Sequence, residues 1–199
     1  MTPMSTDKPK EKRQFRYHDA LAVARELEAA LAPACVPGRI MIAGSIRRRR
    51  LTVGDIELVY QPRVDAVCDL LNEPCGVRNH ADERIYQLLG QGILAKRLNK
   101  LGRASVGSQI KLVVHVATGI PVDLFAANSA NWWNLLVCRT GGRDTNIAIA
   151  DAAKDIGLRW SPYGPGFQRP ATGEVITVRS EAEVFEMVGL PYREPVDRE

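Results

Sequence analysis

Apolar and polar positions first fall into a regular pattern at Tyr17. Leu21, Val23, Ala24, Leu27 and Leu31 recur at near-helical spacing, which predicts a helix with one apolar face. Pro33 and Pro37 close that run, because proline lacks the amide hydrogen that a helix interior needs. A short apolar strand, Arg39-Ile-Met-Ile-Ala43, follows and ends in Gly44-Ser45. A second strand is predicted at Asp55-Ile-Glu-Leu-Val-Tyr60. Its alternation puts Asp55, Glu57 and Val59 on one face and Ile56, Leu58 and Tyr60 on the other.

Residues 81–90 read as a helix with Ile85, Leu88 and Leu89 as its buried stripe, while 93–99 fit either a strand or a helix end. Residues 102–107 form a turn region. Two strands then follow, Ile110–Val116 and Ile120–Phe125, joined by Ala117-Thr118-Gly119 in a tight hairpin. Strands mixed with helices in this way predict an α+β fold, a mixed sheet with helices on one face. After Ala127 the texture changes. Two helices (131–137 and 144–156), a Gly- and Pro-rich stretch (161–170), a strand (174–178) and a final helix opening at the capping box Ser180-Glu-Ala-Glu make a smaller C-terminal α/β lobe. The expected organisation is a disordered basic tail over 1–14, a main unit over 15–127 and the lobe over 128–199.

Composition narrows the class. At 199 residues, 45% apolar and 25% charged, the chain is neither disordered, collagen-like nor a coiled coil. No apolar run reaches the roughly 20 residues of a membrane helix. The first 14 residues lack the apolar core of a signal peptide. Cys35, Cys68, Cys75 and Cys138 have no zinc-knuckle spacing, so free thiols in a cytoplasmic protein are expected. Net charge is +4, and the bases are 20 Arg against 7 Lys. A planar guanidinium matches pairs of phosphate oxygens, which suits a polyanionic partner, and a GC-rich genome favours arginine equally.

The chemistry concentrates in Gly44-Ser45-Ile-Arg-Arg-Arg-Arg50 and Gly54-Asp-Ile-Glu57. A strand ending in Gly-Ser frees backbone N–H groups for a phosphate, and the arginines after it can neutralise one. Two carboxylates two apart on a strand point the same way, and Asp123 on a neighbouring strand offers a third. Three carboxylates beside a phosphate cradle can hold two Mg²⁺ ions. Taken singly, each feature is commonplace; their order along the chain is not.

Gly44-Ser45-x-Arg-Arg, Gly54-Asp-x-Glu and Val122-Asp-Leu together resemble the nucleotidyltransferase superfamily, in the version of the family X, DNA polymerase beta-like, polymerases. Thr140-Gly141 with Asn146 is similar to that family's nucleotide-pocket segment. Ser180-Glu-Ala-Glu-Val-Phe followed by Leu190-Pro-Tyr-Arg-Glu-Pro resembles its closing motif. The resemblance implies a catalytic palm over 15–127, with Asp55, Glu57 and Asp123 holding two Mg²⁺ ions, for which Mn²⁺ can substitute. It also implies that Gly44, Ser45, Arg48 and Gly54 hold a nucleoside triphosphate, that Thr140 and Gly141 line the sugar and base pocket, and that Asn146 faces the base. Primer-template or gapped DNA would be the partner of a monomer without membrane contact.

The chain departs from the family pattern in three places. Glu57 stands where most members have Asp, Pro121 where an Arg is usual, and Cys138-Arg139 where an aromatic pair is expected. Nothing here resembles the family's N-terminal lyase domain, so lyase activity is not expected. Lys96, Arg97, Lys100, Arg103 and Lys111 form a basic stretch suited to a DNA backbone, or simply to a solvated face. His115 reads as a satisfied core residue, Cys75 and His80 as loop positions, and Trp132 and Trp133 as packing residues. Two further readings stay open: a template-independent, RNA-end or small-molecule nucleotidyltransferase, and a non-catalytic DNA-binding protein.

Overall fold

A computed structural model describes residues 13–98, 102 and 106–199. The chain opens with β1 (Phe15–Arg16) and α1 (Tyr17–Leu31). Ala20, Val23, Ala24, Leu27 and Leu31 are the buried positions of α1, one stripe at helical spacing. A 3₁₀ turn at Ala32–Ala34 carries Pro33 and ends the helix. Then come β2 (Cys35–Ile42), the single turn α2 (Gly44–Arg47), β3 (Thr52–Val53) and β4 (Ile56–Pro62). A free-standing hairpin of β5 (Val64–Cys68) and β6 (Pro74–Asn79) leads to α3 (His80–Gly90). The Asn79 side chain accepts the Asp82 N–H and caps α3. The strands β7 (Leu94–Lys96), β8 (Ile110–His115) and β9 (Ile120–Ala126) follow, so the ambiguous segment after residue 93 begins as a strand.

Five of these strands form one sheet in the order β2-β4-β9-β8-β7. Only β4 and β9 run parallel, and they place Glu57 beside Asp123. Ile56, Leu58 and Tyr60 of β4, with Ile120, Val122 and Leu124 of β9, pack with α1 and α3 in one cluster. Val59 and Phe125 point the other way, into a second cluster with Trp132, Leu135 and Leu136. Those three belong to α4 (Trp132–Thr140) or flank its opening turn. The helices α1 and α3 thus share one face of the sheet, and α4, from the C-terminal part, covers part of the other through Val59 and Phe125, which alternate out of phase with the main core. Each fully buried large side chain here contributes roughly 1.5–3 kcal/mol.

The C-terminal part continues with α5 (Arg143–Asp155), a small sheet of β10 (Arg159–Ser161), β11 (Gly166–Gln168) and β12 (Val175–Ile176), and α6 (Glu181–Glu186). Val137, Ile149, Phe167, Val184 and Phe185 fill its own cluster. Ser180 caps α6 by accepting the Glu183 N–H at 3.1 Å. The Glu183 carboxylate reaches back to the Arg179 N–H at 2.6 Å, one residue earlier than a capping box requires.

Within the run Arg47–Arg50, Arg47 and Arg50 turn to carboxylates of the C-terminal part. Arg47 forks onto both oxygens of Glu181, at 2.7 and 2.8 Å, and donates to Thr140 Oγ1. Arg50 pairs with Glu199 at 2.7 Å. Arg198, fully buried, donates to Glu181 at 3.0 Å and lies against the Phe185 and Tyr192 rings. The closing motif is thus riveted onto the helical turn after β2. Glu199 completes the junction by bonding to Thr145. A Cβ added at Gly142 would run into the Glu199 main chain. Gly142→Ala is expected to displace this segment at a cost of about 1–3 kcal/mol, read by thermal unfolding. An unchanged melting curve would show that the junction yields freely.

Lys111 corrects the sequence reading. It belongs to the basic stretch assigned to DNA, yet it is 1% exposed. Its ammonium pairs with Asp82 at 2.8 Å and donates to Tyr60 Oη and to the carbonyls of Gly107 and Ser108. A lysine on an inward strand position must find such partners or neutralise itself. Lys111→Met is expected to cost roughly 3 kcal/mol in denaturant unfolding, because Asp82 and two carbonyls lose their donor. A loss of DNA affinity with unchanged stability would instead restore the surface reading.

Candidate active site

Gly54 and Asp55 form the turn into β4, and Glu57 is the second residue of that strand. Neighbouring strands lie about 4.8 Å apart, so paired Glu57 and Asp123 project side by side from one face. An open cleft of about 370 Å³ collects Asp55, Glu57 and Asp123 with Ser45, Arg48 and Arg139. Gly141, Gly142, Arg143 and Asn146 line the same cleft. The sequence-predicted carboxylates therefore meet in one place.

Gly44 has φ +61°, and a Cβ there would overlap Glu57 Oε2. Glycine meets both demands at once, a left-handed backbone and the close approach of the carboxylate. Gly44 is buried and Gly54 half-buried, so both shape the turns around the cleft without lining it. Ser45 does line it.

Two guanidiniums hold two of the three carboxylates. Arg139, on α4, donates to Glu57 Oε1. Arg97, just after β7, donates to Asp123 Oδ1. Arg97 N–H bonds the Leu112 carbonyl, and Leu112 is in register with Asp123, so arginine and carboxylate stand in one row across the sheet. Pro121 leaves no arginine on β9 itself, and Arg97 reaches Asp123 from two strands away. Burial pushes the Glu57 carboxyl up from its ordinary pKa; Arg139 opposes this, and Asp55 and Asp123 add to it. Burial likewise raises Asp123, against the pull of Arg97 and with a further push from Asp55. The Arg139 guanidinium is raised: its burial works against the charge, and Glu57 and Tyr163 outweigh it.

Crowded carboxylates with raised pKa values call for a cation, and an all-oxygen donor set suits a hard divalent ion. The donor chemistry therefore fits Mg²⁺. The arrangement does not present a finished cage: among the described residues, no three Asp, Glu, His or Cys side chains are set closely enough to hold a metal. The physical reason is that Glu57 and Asp123 turn to the nearest positive charge, which here is guanidinium.

Several other expectations are revised. Thr140 is buried, and its hydroxyl accepts from Arg47, so it supports the cleft from behind while Gly141 faces it. Arg48 lines the cleft, but its Nη1 donates to the Thr140 and Gly141 carbonyls at 2.6 and 3.2 Å. Asn146 donates to the Cys138 carbonyl, and its Oδ1 is buried without a partner. Of the basic stretch, Lys96 is exposed, Arg97 belongs to the cleft and Lys111 to the core; Lys100 and Arg103 lie outside the described residues, as do residues 1–12 of the basic tail. His115 bonds Thr118, and His80 pairs with Asp65. Trp132 is buried, and Arg39 lies over both tryptophan rings.

Arg139 was not foreseen as a cleft residue, nor Tyr163 as its partner. Arg139 Nη1 donates to Tyr163 Oη at 2.8 Å, and its guanidinium sits 4.0 Å from the Phe125 ring centroid. The only sequence signal was that an arginine stood where the resembled family carries an aromatic pair. A larger cleft of about 460 Å³ opens at the other end of β4, by Arg63, Arg78, His80 and Arg84. Arg78 there pairs with Glu83 and His80 with Asp65, while Arg84 donates to the Ala30 carbonyl and to Gln87. Among the described residues, no helix is long and apolar enough to cross a membrane.

Residues 135–199 match the family model for the DNA polymerase beta thumb. The chain is 28% identical over 190 residues to the DNA polymerase/3'-5' exonuclease PolX of Bacillus subtilis (strain 168), covering 96% of this chain and 29% of that one. It is 27% identical over 186 residues to DNA polymerase lambda of Rattus norvegicus, covering 84% of this chain and 30% of that one. The chain thus spans less than a third of the length of these curated relatives. The thumb match and both relatives support the resemblance of this chain to family X, the DNA polymerase beta-like group.

Proposed function

We propose that this chain is a DNA-directed DNA polymerase of family X type that adds a nucleoside monophosphate to a primer 3′-hydroxyl and fills short gaps during repair. The single observation that carries the reading is the meeting of Asp55, Glu57 and Asp123 at one end of the parallel pair β4–β9, in a cleft walled by the thumb-like region. We assign residues 15–127 to a nucleotidyltransferase palm and 128–199 to the nucleotide- and base-pair-binding lobe.

The residues act by position and charge. Asp55, Glu57 and Asp123 would hold two divalent ions, which when bound lower the pKa of a hydroxyl nucleophile and stabilise charge on the leaving phosphates. Ser45, Arg48 and Arg143 face the same space as the carboxylates and would orient a triphosphate. Gly141 and Gly142 let a sugar approach the backbone of the cleft wall, and Asn146 offers an unpaired oxygen toward it. Arg97 opposes the effect of burial on Asp123 and fixes the orientation of its carboxylate. DNA, a deoxynucleoside triphosphate and a cytoplasmic setting complete the reading.

The test is single-nucleotide addition to three acceptors: a gapped duplex, a plain primer-template and a single-stranded primer. Extension of the first two and not the third is expected. Duplex affinity should fall by roughly 0.9 log units per log unit of salt for each phosphate neutralised. Addition to the single strand alone would replace this reading with a template-independent transferase.

A further inference from the structure

We infer that Arg139 is a built-in counter-cation of Glu57, and that a divalent ion and the Arg139 guanidinium compete for that carboxylate. The inference rests on the metal reading of the cleft given above and adds to it a residue that limits ion entry. One of the two Glu57 oxygens is held by a guanidinium and the other lies close to Gly44. Oε1 accepts from Arg139 Nη2, and Oε2 is pressed toward Gly44, where no side chain fits. The guanidinium is fixed at three points: by Glu57, by Tyr163 Oη at 2.8 Å, and by the Phe125 ring at 4.0 Å from its centroid. It is therefore anchored rather than swept in from solvent.

Charge completes the argument. The cleft is lined by three carboxylates and by three guanidiniums, those of Arg48, Arg139 and Arg143. Arg97 adds a fourth guanidinium on Asp123, so with Arg139 on Glu57 the cleft carries no excess of negative charge and an entering dication gains little from it. Once Arg139 leaves, Glu57 Oε1 opens beside Asp55 and Asp123, and the cleft loses one of its four guanidinium charges. Release of one fixed guanidinium would thus open a ligand and remove a repelling charge together. Lysine at this position would keep the charge and lose the fork that reaches Glu57 and Tyr163 at once.

The experiment titrates Mn²⁺ into the full chain at neutral pH and counts free ion by electron paramagnetic resonance. The native protein is compared with Arg139→Gln, Arg139→Lys and Arg139→Gln combined with Asp55→Asn. Arg139→Gln is expected to bind Mn²⁺ about tenfold more tightly, a difference of about 1.4 kcal/mol. Arg139→Lys should stay within about threefold of native, and the added Asp55→Asn should remove the gain. Equal affinity of the native and Arg139→Gln proteins would overturn the competition and leave the metal reading standing. Absence of Mn²⁺ binding in every protein would overturn both. A gain that survives Asp55→Asn would place the ion elsewhere and also overturn the inference. A measurement needing no variant is hydrogen exchange of the Arg139 side-chain N–H groups, which saturating Mg²⁺ should accelerate; unchanged protection would contradict displacement.

Discussion

Asp123→Ala is expected to lower nucleotide addition by at least about 1,000-fold, or about 4 kcal/mol of transition-state stabilisation, at saturating Mg²⁺. Asp123 is the one carboxylate supplied by a second strand, and it stands beside Glu57 on the parallel pair. Neither Asp55 nor Glu57 can reach its position. The stability of the variant should move the other way. Burial and Asp55 raise the Asp123 pKa, so the folded chain disfavours its ionised form relative to the unfolded chain. That penalty is present at neutral pH, and alanine removes it. Arg97 loses its partner but is 30% exposed and can turn to water. The melting temperature should therefore stay level or rise slightly while activity collapses, as expected where carboxylates are crowded for function. Substantial incorporation by Asp123→Ala would sink the proposed mechanism.

Glu181→Ala is expected to give the largest loss of stability, about 3–5 kcal/mol. Glu181 is held by Arg47 and by Arg198, and the Arg198 side chain is fully buried. Without the carboxylate, a buried guanidinium keeps only the Arg193 carbonyl and two aromatic rings. For a chain of this size such a loss lowers the melting temperature by roughly 10 °C. The pH dependence supplies a second readout. Burial alone would raise the Glu181 carboxyl, but the bonds and charges of Arg47 and Arg198 outweigh it, and the net direction is down. A depressed carboxyl stabilises the fold above its unfolded pKa of about 4.3, and that contribution is lost as pH falls through the lower folded value. The acid-unfolding curve of Glu181→Ala should be correspondingly flatter. A variant as stable as native at neutral pH would mean that the junction between Arg47 and the closing motif contributes nothing.

The legible parts of this chain were those in which one residue's chemistry agreed with its period. Ile56, Leu58 and Tyr60 alternate against Asp55, Glu57 and Val59, and that alternation alone assigned core and cleft faces of β4. Tyr17–Leu31 declared itself by its stripe, and Ser180 by its cap. The hairpin 64–79 stayed hidden because its strands are exposed on both faces and interleave Asp65, Cys68, Pro74 and Gly76 with apolar residues, so no period survives. Long cations were the main source of error. Lys111 and Arg97 looked like neighbours on a basic surface, yet one points into the core and the other into the cleft. An arginine's partner is set by tertiary reach of several ångströms, and nothing local in sequence encodes it. The same holds for Arg47 and Arg50, which read as part of a phosphate-binding run and tie the closing motif to α2, while Arg48 lines the cleft.

The central claim, template-directed synthesis by the Asp55–Glu57–Asp123 cleft, is tested most directly by one assay. A labelled primer annealed across a one-nucleotide gap is incubated with the native chain, Mg²⁺ and each deoxynucleoside triphosphate in turn, opposite each of the four template bases. The expected result is a product one nucleotide longer that forms best with the complementary nucleotide at every template base. Extension indifferent to the template base, or no extension of any primer with DNA bound, would contradict it.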